Sequence, residues 1–407
     1  MKIARVEAVP LRIPVDFQSI GVHHPTTASF TYVEVETDTG LVGHGITSIT
    51  QGRPVAEAVN SVLGPAILGL DPLAHERAWH VMYWTATPWA QTGYASHAIS
   101  AIDLALWDIK GHTFGQPVWR LIGGARDRVP VYATCGFSFL EDDALAEVAR
   151  RVVGQGFRGL KMQVGRPGLD DRRAHPPIAE IVARDARRVR AVREAVGPEI
   201  EIAIDAGCRL DLPNALALVR AVEEYGIAFF EEPLAQNDVR LLAELRRKTS
   251  IPLSAGQNEG LAYRFRDMLL HDAVDIVQPN VIVTGGITQC LRIAGMAAAF
   301  NVAISNGGGA PFHNRHLQAG LANGTGDRMA VQLGRRDGCD LQGTAATEGR
   351  LDGHAGDARS RSCAGPCRGF RAAGPQKGRL AALAGQAQAV EARAGFEPAC
   401  KDLQSSG

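Results

Sequence analysis

No sign of charge predominates in this 407-residue chain: Lys and Arg total 43, Asp and Glu total 43, and the formal net charge is zero. Without a basic field there is no long-range attraction for nucleic acid or for an anionic bilayer, so neither is an expected partner. Long apolar runs are missing too. None reaches the ~18 residues needed to span a membrane, and the opening MKIARVEAVPLRIPV lacks the unbroken apolar stretch of a secretory leader. A soluble, cytoplasmic protein is expected. The cysteines are few and unpatterned: seven residues, with no CxxC pair and no Cys/His cluster, argue against a disulfide scaffold and against structural zinc. What is present is 45% hydrophobic and 21% charged residues, ordinary globular proportions that exclude wholesale disorder and can fill two or three domains. Small molecules, and further copies of this chain in a homo-oligomer, are the expected partners.

Residues 1 to about 60 alternate apolar and polar positions around Asp38-Thr39-Gly40, which predicts an antiparallel meander. From Pro54 to Arg120 the period becomes helical. Ala98, Ile99, Ala101, Ile102, Leu104 and Ile109 belong to a nearly all-round apolar helix expected to stop near Gly111. From Val129 short apolar runs alternate with amphipathic stretches. The runs are 129–134, 159–164, 201–206, 228–233, 252–256, 276–281 and 302–306, and helix candidates between them include 142–153, 184–195, 214–225, 239–248 and 287–300. Seven βα units predict a parallel sheet. A closed barrel is favoured over a doubly wound sheet, because polar residues cluster at successive strand ends and no Gly-rich dinucleotide fingerprint follows the first strand. The rhythm fails after Gly326. From there on the chain has no Ile, Trp, Tyr or Asn, carries four of the seven cysteines, and suggests at most a strand at Met329 to Leu333 and a helix at Leu380 to Val390. Cys363 and Cys367 receive no role.

The fold class is therefore α/β: an α+β capping domain over 1–125, a modified (β/α) TIM-type barrel over 126–325, and an atypical, poorly ordered tail over 326–407. Asp205, Glu231 and Gln257 end three successive strands at intervals of 26 residues. Consecutive strand ends are neighbours in a barrel, so three oxygen donors converge there, a set suited to Mg2+. Alone, each would more often cap a helix or pair with an arginine. In register, with Glu232 beside the second, they favour a metal. Lys161 and Gln163 alternate on the second strand and share its inner face, where Lys161 is a candidate base and Gln163 can only hydrogen-bond. The bland alternative is an inward Lys paired with a carboxylate. Ser305-Asn306-Gly307-Gly308-Gly309 offers backbone N–H groups to an anion, or is simply a turn. His313 falls near a helix start on the site side and His316 among helical positions; His23 and His24 lie in a polar segment that either covers the barrel mouth or is solvated.

These residues carry a resemblance. Ala98 to Gly111, Gly115-Gln-Pro-Val, Leu121-Ile-Gly-Gly124, Asp205-Ala-Gly207 and Phe230-Glu-Glu-Pro233 are similar to the enolase superfamily in its mandelate racemase and muconate lactonizing enzyme branch, over about residues 1–325. The resemblance implies a cap over a modified barrel, with magnesium stabilising the enediolate formed when a base removes the proton α to a carboxylate. It makes Asp205 and Glu231 the first two metal ligands. The departures are specific. Gln257 stands where the third ligand is usually acidic, and Glu259 is its alternative. The family's Lys-x-Lys reads Lys161-Met-Gln163, and its Asp and His of the sixth and seventh strands become Asn280 and Asn306. Two-base racemisation is therefore disfavoured. The expected activity is a magnesium-dependent acid-sugar dehydratase acting on a small carboxylate, with Lys161 as base, His313 as acid for the leaving group, and Gln163, Asn280, Asn306 and His24 around the substrate. A racemase, epimerase or cycloisomerase, or a non-catalytic carboxylate- or metal-binding relative, are the alternatives.

Overall fold

A computed structural model describes residues 1–49, 51–165, 176–308, 311–330 and 348–350. The chain begins with the expected meander: β1 (Ile3–Val15), β2 (Thr26–Thr37) and β3 (Val42–Ser48) pair antiparallel in that order. Short α1 (Gly52–Glu57) passes through a wide turn into α2 (Gly64–Ile67), followed by α3 (His75–Ala86), α4 (Tyr94–Phe114) and α5 (Val118–Leu121). Ile99, Ile102, Ala105, Leu106 and Ile109 of α4 pack against Val33 and Val35 of β2 in one apolar cluster. Each such Ile, Leu or Val withdrawn from water contributes about 1.5–3 kcal/mol.

The expected stop at Gly111 is displaced by four residues. Gly115 has φ 60 and sends its N–H back to the Gly111 and His112 carbonyls, so the left-handed cap that ends α4 is Gly115.

The second unit alternates strand and helix: β4 (Arg128–Gly136), α6 (Asp142–Gly154), β5 (Gly159–Gln163), α7 (Ile178–Val196), β6 (Glu201–Asp205), α8 (Leu212–Val222), β7 (Ile227–Glu231), α9 (Val239–Arg246), β8 (Leu253–Ala255), α10 (Leu261–Leu270), β9 (Ile276–Val277), α11 (Gly286–Ala299), β10 (Ala303–Ile304), α12 (Pro311–Gly320) and β11 (Asp327–Ala330). Neighbouring strands are parallel, in the order β10-β9-β8-β7-β6-β5-β4-β11. A parallel bridge between Ile304 and Gly324, with Thr325 N–H on the Ile304 carbonyl at 2.9 Å, brings the chain entering β11 alongside β10, so the sheet returns on itself.

Several expected boundaries move. The strands expected over 276–281 and 302–306 shrink to two residues each; after β9 the Asn280 carbonyl takes the N–H groups of Val283 and Thr284 in a tight loop. The helix expected around His313 and His316 is α12, and α10, not among the helices named from the sequence, fills the interval between β8 and β9. The barrel expected to end near 325 continues through Asp327–Ala330, because the return past β10 delivers this segment to the open edge of β4. A further strand, β12 (Glu348–Arg350), pairs antiparallel with Arg128–Pro130. Both lie in the segment expected to be a poorly ordered tail. The candidate helix at 380–390, Cys363 and Cys367 lie outside the described residues. Among the described residues, no helix is long and apolar enough to cross a membrane.

The cap is fastened to the barrel where β9 gives way to α11. Asp103 of α4 accepts from Thr288 N–H at 3.1 Å and from its hydroxyl, capping the start of α11 from the other domain. Burial, countered by these Thr288 bonds, pushes the Asp103 carboxyl up to about 7. Thr47 of β3 donates to the Ile282 carbonyl at 2.6 Å, and Trp79 donates to Gly285 at 2.8 Å.

Candidate active site

Strand alternation decides which side chains enter the barrel. Lys161 in β5 faces Ala203 in register and Asp205 faces Glu231, so the small alanine leaves room for the lysine to reach the strand ends. Its Nζ donates to Asp205 Oδ2 at 2.9 Å and contacts Glu231 Oε1. All three side chains are buried, Lys161 and Glu231 completely. Burial pushes the Glu231 carboxyl up, the Lys161 ammonium pulls it down, and the Asp205 charge reinforces the rise. Gln278 on the far side donates to Glu231 Oε2 at 3.1 Å.

Gln257 adjoins this corner but is fully engaged. Its Nε2 donates to Glu232 Oε2 at 3.0 Å, while its Oε1 accepts from Gly308 N–H at 3.0 Å and from Arg328 Nη1 at 2.8 Å. Arg328 enters from β11, holds Thr134 Oγ1 through Nε at 2.8 Å, and brings Nη1 to 3.7 Å from Glu231 Oε1. Glu232, at φ 43, also receives Asn237 and Asn258, so it gathers the amides around the cluster, as expected of a supporting residue. Glu259 turns away: its carboxylate takes Arg264 Nε and Asn237 Nδ2, both at 2.9 Å. It is not positioned as the alternative to Gln257.

The opposite side of the mouth is a chain of amides. Asn306 Nδ2 donates to Asn314 Oδ1 at 3.1 Å, and Asn314 Nδ2 donates to Asn280 Oδ1 at 3.2 Å. The glycine turn exists to let these parts meet: Gly308 has φ 72, and a Cβ there would come 2.0 Å from Asn280 Nδ2. Its N–H is spent on Gln257 rather than held open for an anion. Gln163 likewise commits its oxygen, to Ser138 N–H at 3.1 Å. His313 lies on α12 with Nδ1 buried and without a hydrogen-bond partner; burial, helped by His316, pulls the ring down to about 4, so it is uncharged at neutral pH. No hydrogen bond among the described residues ties it to the carboxylates. His316 instead accepts Trp119 N–H at 3.3 Å. His24 stacks on Phe139 at 3.9 Å, in the loop after β4, so its segment does lie over the strand ends.

Sequence reasoning missed Arg328, Asn314, Gln278 and Thr134. Arginine and asparagine in helical or polar surroundings read as surface, and no local signal marks Arg328 as inward.

Among the described residues no three His, Cys, Asp or Glu side chains group as a metal centre. Asp205 and Glu231 nevertheless fit one: two hard oxygen donors on adjacent strand ends, with Glu231 Oε1 buried against an ammonium yet accepting no well-directed hydrogen bond. Gln257 fits less well, its carbonyl oxygen already taking two donors.

Residues 2–123 match the family model for the mandelate racemase / muconate lactonizing enzyme N-terminal domain, and residues 143–339 match that of the enolase C-terminal domain-like family. An arabinonate dehydratase from Saccharolobus solfataricus is 31% identical over 71% of this chain and 76% of its own length. A 3,6-anhydro-alpha-L-galactonate cycloisomerase from Streptomyces coelicolor is 31% identical over 75% of this chain and 82% of its own. Among solved structures, a Streptomyces coelicolor racemase with bound magnesium superposes with a TM-score of 0.71 at 29% identity, covering 80% of this chain and 89% of that one.

Proposed function

Since the chain belongs to the mandelate racemase and muconate lactonizing enzyme branch of the enolase superfamily, we propose that it is an acid-sugar dehydratase that abstracts the α proton of a small carboxylate with Lys161. The observation that carries this reading is the convergence of Lys161 Nζ, Asp205 and Glu231 at the ends of β5, β6 and β7. Asp205 and Glu231 would hold magnesium, which when bound supplies a Lewis acid for the substrate carboxylate. Lys161 would first release its own proton to solvent, as the two carboxylates that now hold its ammonium are given over to the metal, and the neutral Nζ then takes the proton from the carbon next to the substrate carboxylate. The C–H electron pair moves towards the carboxylate and then expels the neighbouring hydroxyl, which takes the proton now carried by Lys161 Nζ and leaves as water; the enol left behind tautomerises to a 2-keto acid. The lysine gives and takes protons on one face only, which suits elimination better than inversion. His313, expected as the acid, is uncharged and so would only hydrogen-bond the leaving oxygen without giving up its proton, while Gln163, Asn280, Asn306 and His24 would border the substrate. The cap, residues 1–125, would close the mouth, and we retain a homo-oligomer as the working assembly.

A panel of aldonic and aldaric acids, incubated with magnesium and assayed for 2-keto product, tests the proposal. Turnover by the parent and none by Lys161→Ala supports it. A 2-keto yield no higher than that of Lys161→Ala for every acid overturns it. Cycloisomerisation is the second reading, favoured by the Streptomyces relative's likeness to this chain; a product isomeric with its substrate would identify it.

A further inference from the structure

The cluster contains a cation of its own on the side where a third donor would stand. Arg328 is 14% exposed in its side chain, anchored by Thr134 behind it, and its Nη1 bridges Gln257 Oε1 at 2.8 Å towards Glu231 Oε1 at 3.7 Å. With Lys161 on the other side, two positive side chains face the two carboxylates Asp205 and Glu231, so the pair is charge-balanced before any metal arrives. A buried guanidinium and a divalent cation cannot share the same oxygens without strong repulsion, because little water lies between them to screen it.

We propose that Arg328 competes with magnesium for the Gln257 and Glu231 oxygens, so that the metal binds fully only when Arg328 is drawn off by another anion, the substrate carboxylate. This rests on the reading of Asp205 and Glu231 as metal ligands. It makes metal and substrate bind cooperatively, each favouring the other by the same factor. It also explains why position 257 tolerates an amide: its oxygen serves a guanidinium, and a carboxylate there would pair with Arg328 instead of the metal.

Magnesium titration calorimetry on the full chain tests this, with thermal melting of each variant to verify folding. Arg328→Met is expected to tighten magnesium binding by on the order of tenfold or more, and Arg328→Lys, which keeps the charge, to stay close to the parent. Gln257→Glu alone should change little, whereas the double variant Arg328→Met with Gln257→Glu should gain more than the two single changes together. A merely structural arginine would give the opposite sign, since its removal would loosen the site. Binding by Arg328→Met equal to or weaker than the parent's, or a Gln257→Glu gain of the same size with and without Arg328, overturns the competition while leaving the two carboxylates as ligands. If neither the parent nor any variant binds magnesium, the double variant included, the metal reading falls and the competition with it.

Discussion

The two halves of the barrel mouth are built from different chemistry. On the β5–β7 side, Lys161, Asp205 and Glu231 form a buried charged corner with an exchangeable proton at Nζ. On the β9–β10 side, Asn280, Asn306 and Asn314 form a neutral chain whose hydrogen bonds run mostly to one another and to backbone. The first half can move protons; the second can only hold a shape and offer hydrogen bonds. On the proposed reading a site so divided would work on its substrate from one face, which would separate elimination from racemisation more clearly than any single residue does.

The largest expected effect is in the charged half. Lys161→Ala removes the ammonium between two buried carboxylates, leaving Glu231 to Gln278 and Arg328 and Asp205 to the Gly207 N–H, and breaking such a group costs about 3–5 kcal/mol; a matching fall in the melting midpoint, together with loss of turnover, is expected. A loss of activity with unchanged stability would mean that the ammonium does not hold the corner together. In the neutral half, Asn314→Ala leaves the Val281 N–H without its acceptor and takes one bond each from the Asn280 oxygen, which keeps the Ile282 N–H, and from the Asn306 amide, which keeps the Pro279 carbonyl. Denaturant unfolding should show a loss of about 1–3 kcal/mol. The effect on catalysis should fall on KM more than on kcat, and an equal collapse of kcat would put a proton-transfer role in this half and erase the contrast.

His313 sharpens the contrast through pH. Its pKa is depressed from 6.5 to about 4, so the stability it contributes is present above about pH 6.5 and is lost as pH falls towards about 4. The parent's stability advantage over His313→Gln should shrink across that window in melting experiments. An advantage that grows on acidification would mean that the ring carries a charge in this half. The smallest effect is expected at Glu259. Its pair with Arg264 is partly exposed, and Glu259→Gln should cost no more than about 1 kcal/mol and leave magnesium affinity unchanged, which calorimetry would show.

Most of the architecture was legible because it rests on local regularity. Runs such as Ile202 to Ile204 and amphipathic stretches such as 142–154 repeat often enough to reveal the barrel, and Asp205, Glu231 and Lys161 stood out as polar residues on otherwise apolar strands. The failures are non-local. The strand suggested at Met329 to Leu333 begins two residues earlier, at Asp327, because β4 presents an open edge and the chain returns beside β10. Arg328 was invisible for the same reason, since its meaning depends on Gln257 and Glu231, far away in sequence. The orientation of Glu259 depended on Arg264 and Asn237, which spacing alone cannot reveal.

The central claim is that proton chemistry happens on one face, at Lys161 Nζ. The direct measurement is exchange at the α carbon: the aldonic and aldaric acids are incubated with the protein and magnesium in heavy water and followed by NMR. The account predicts deuterium at the α carbon of recovered acid, or 2-keto product, with no epimer, and predicts that both signals vanish in Lys161→Ala. Deuterium appearing in an epimer, or exchange that survives in Lys161→Ala, would contradict it.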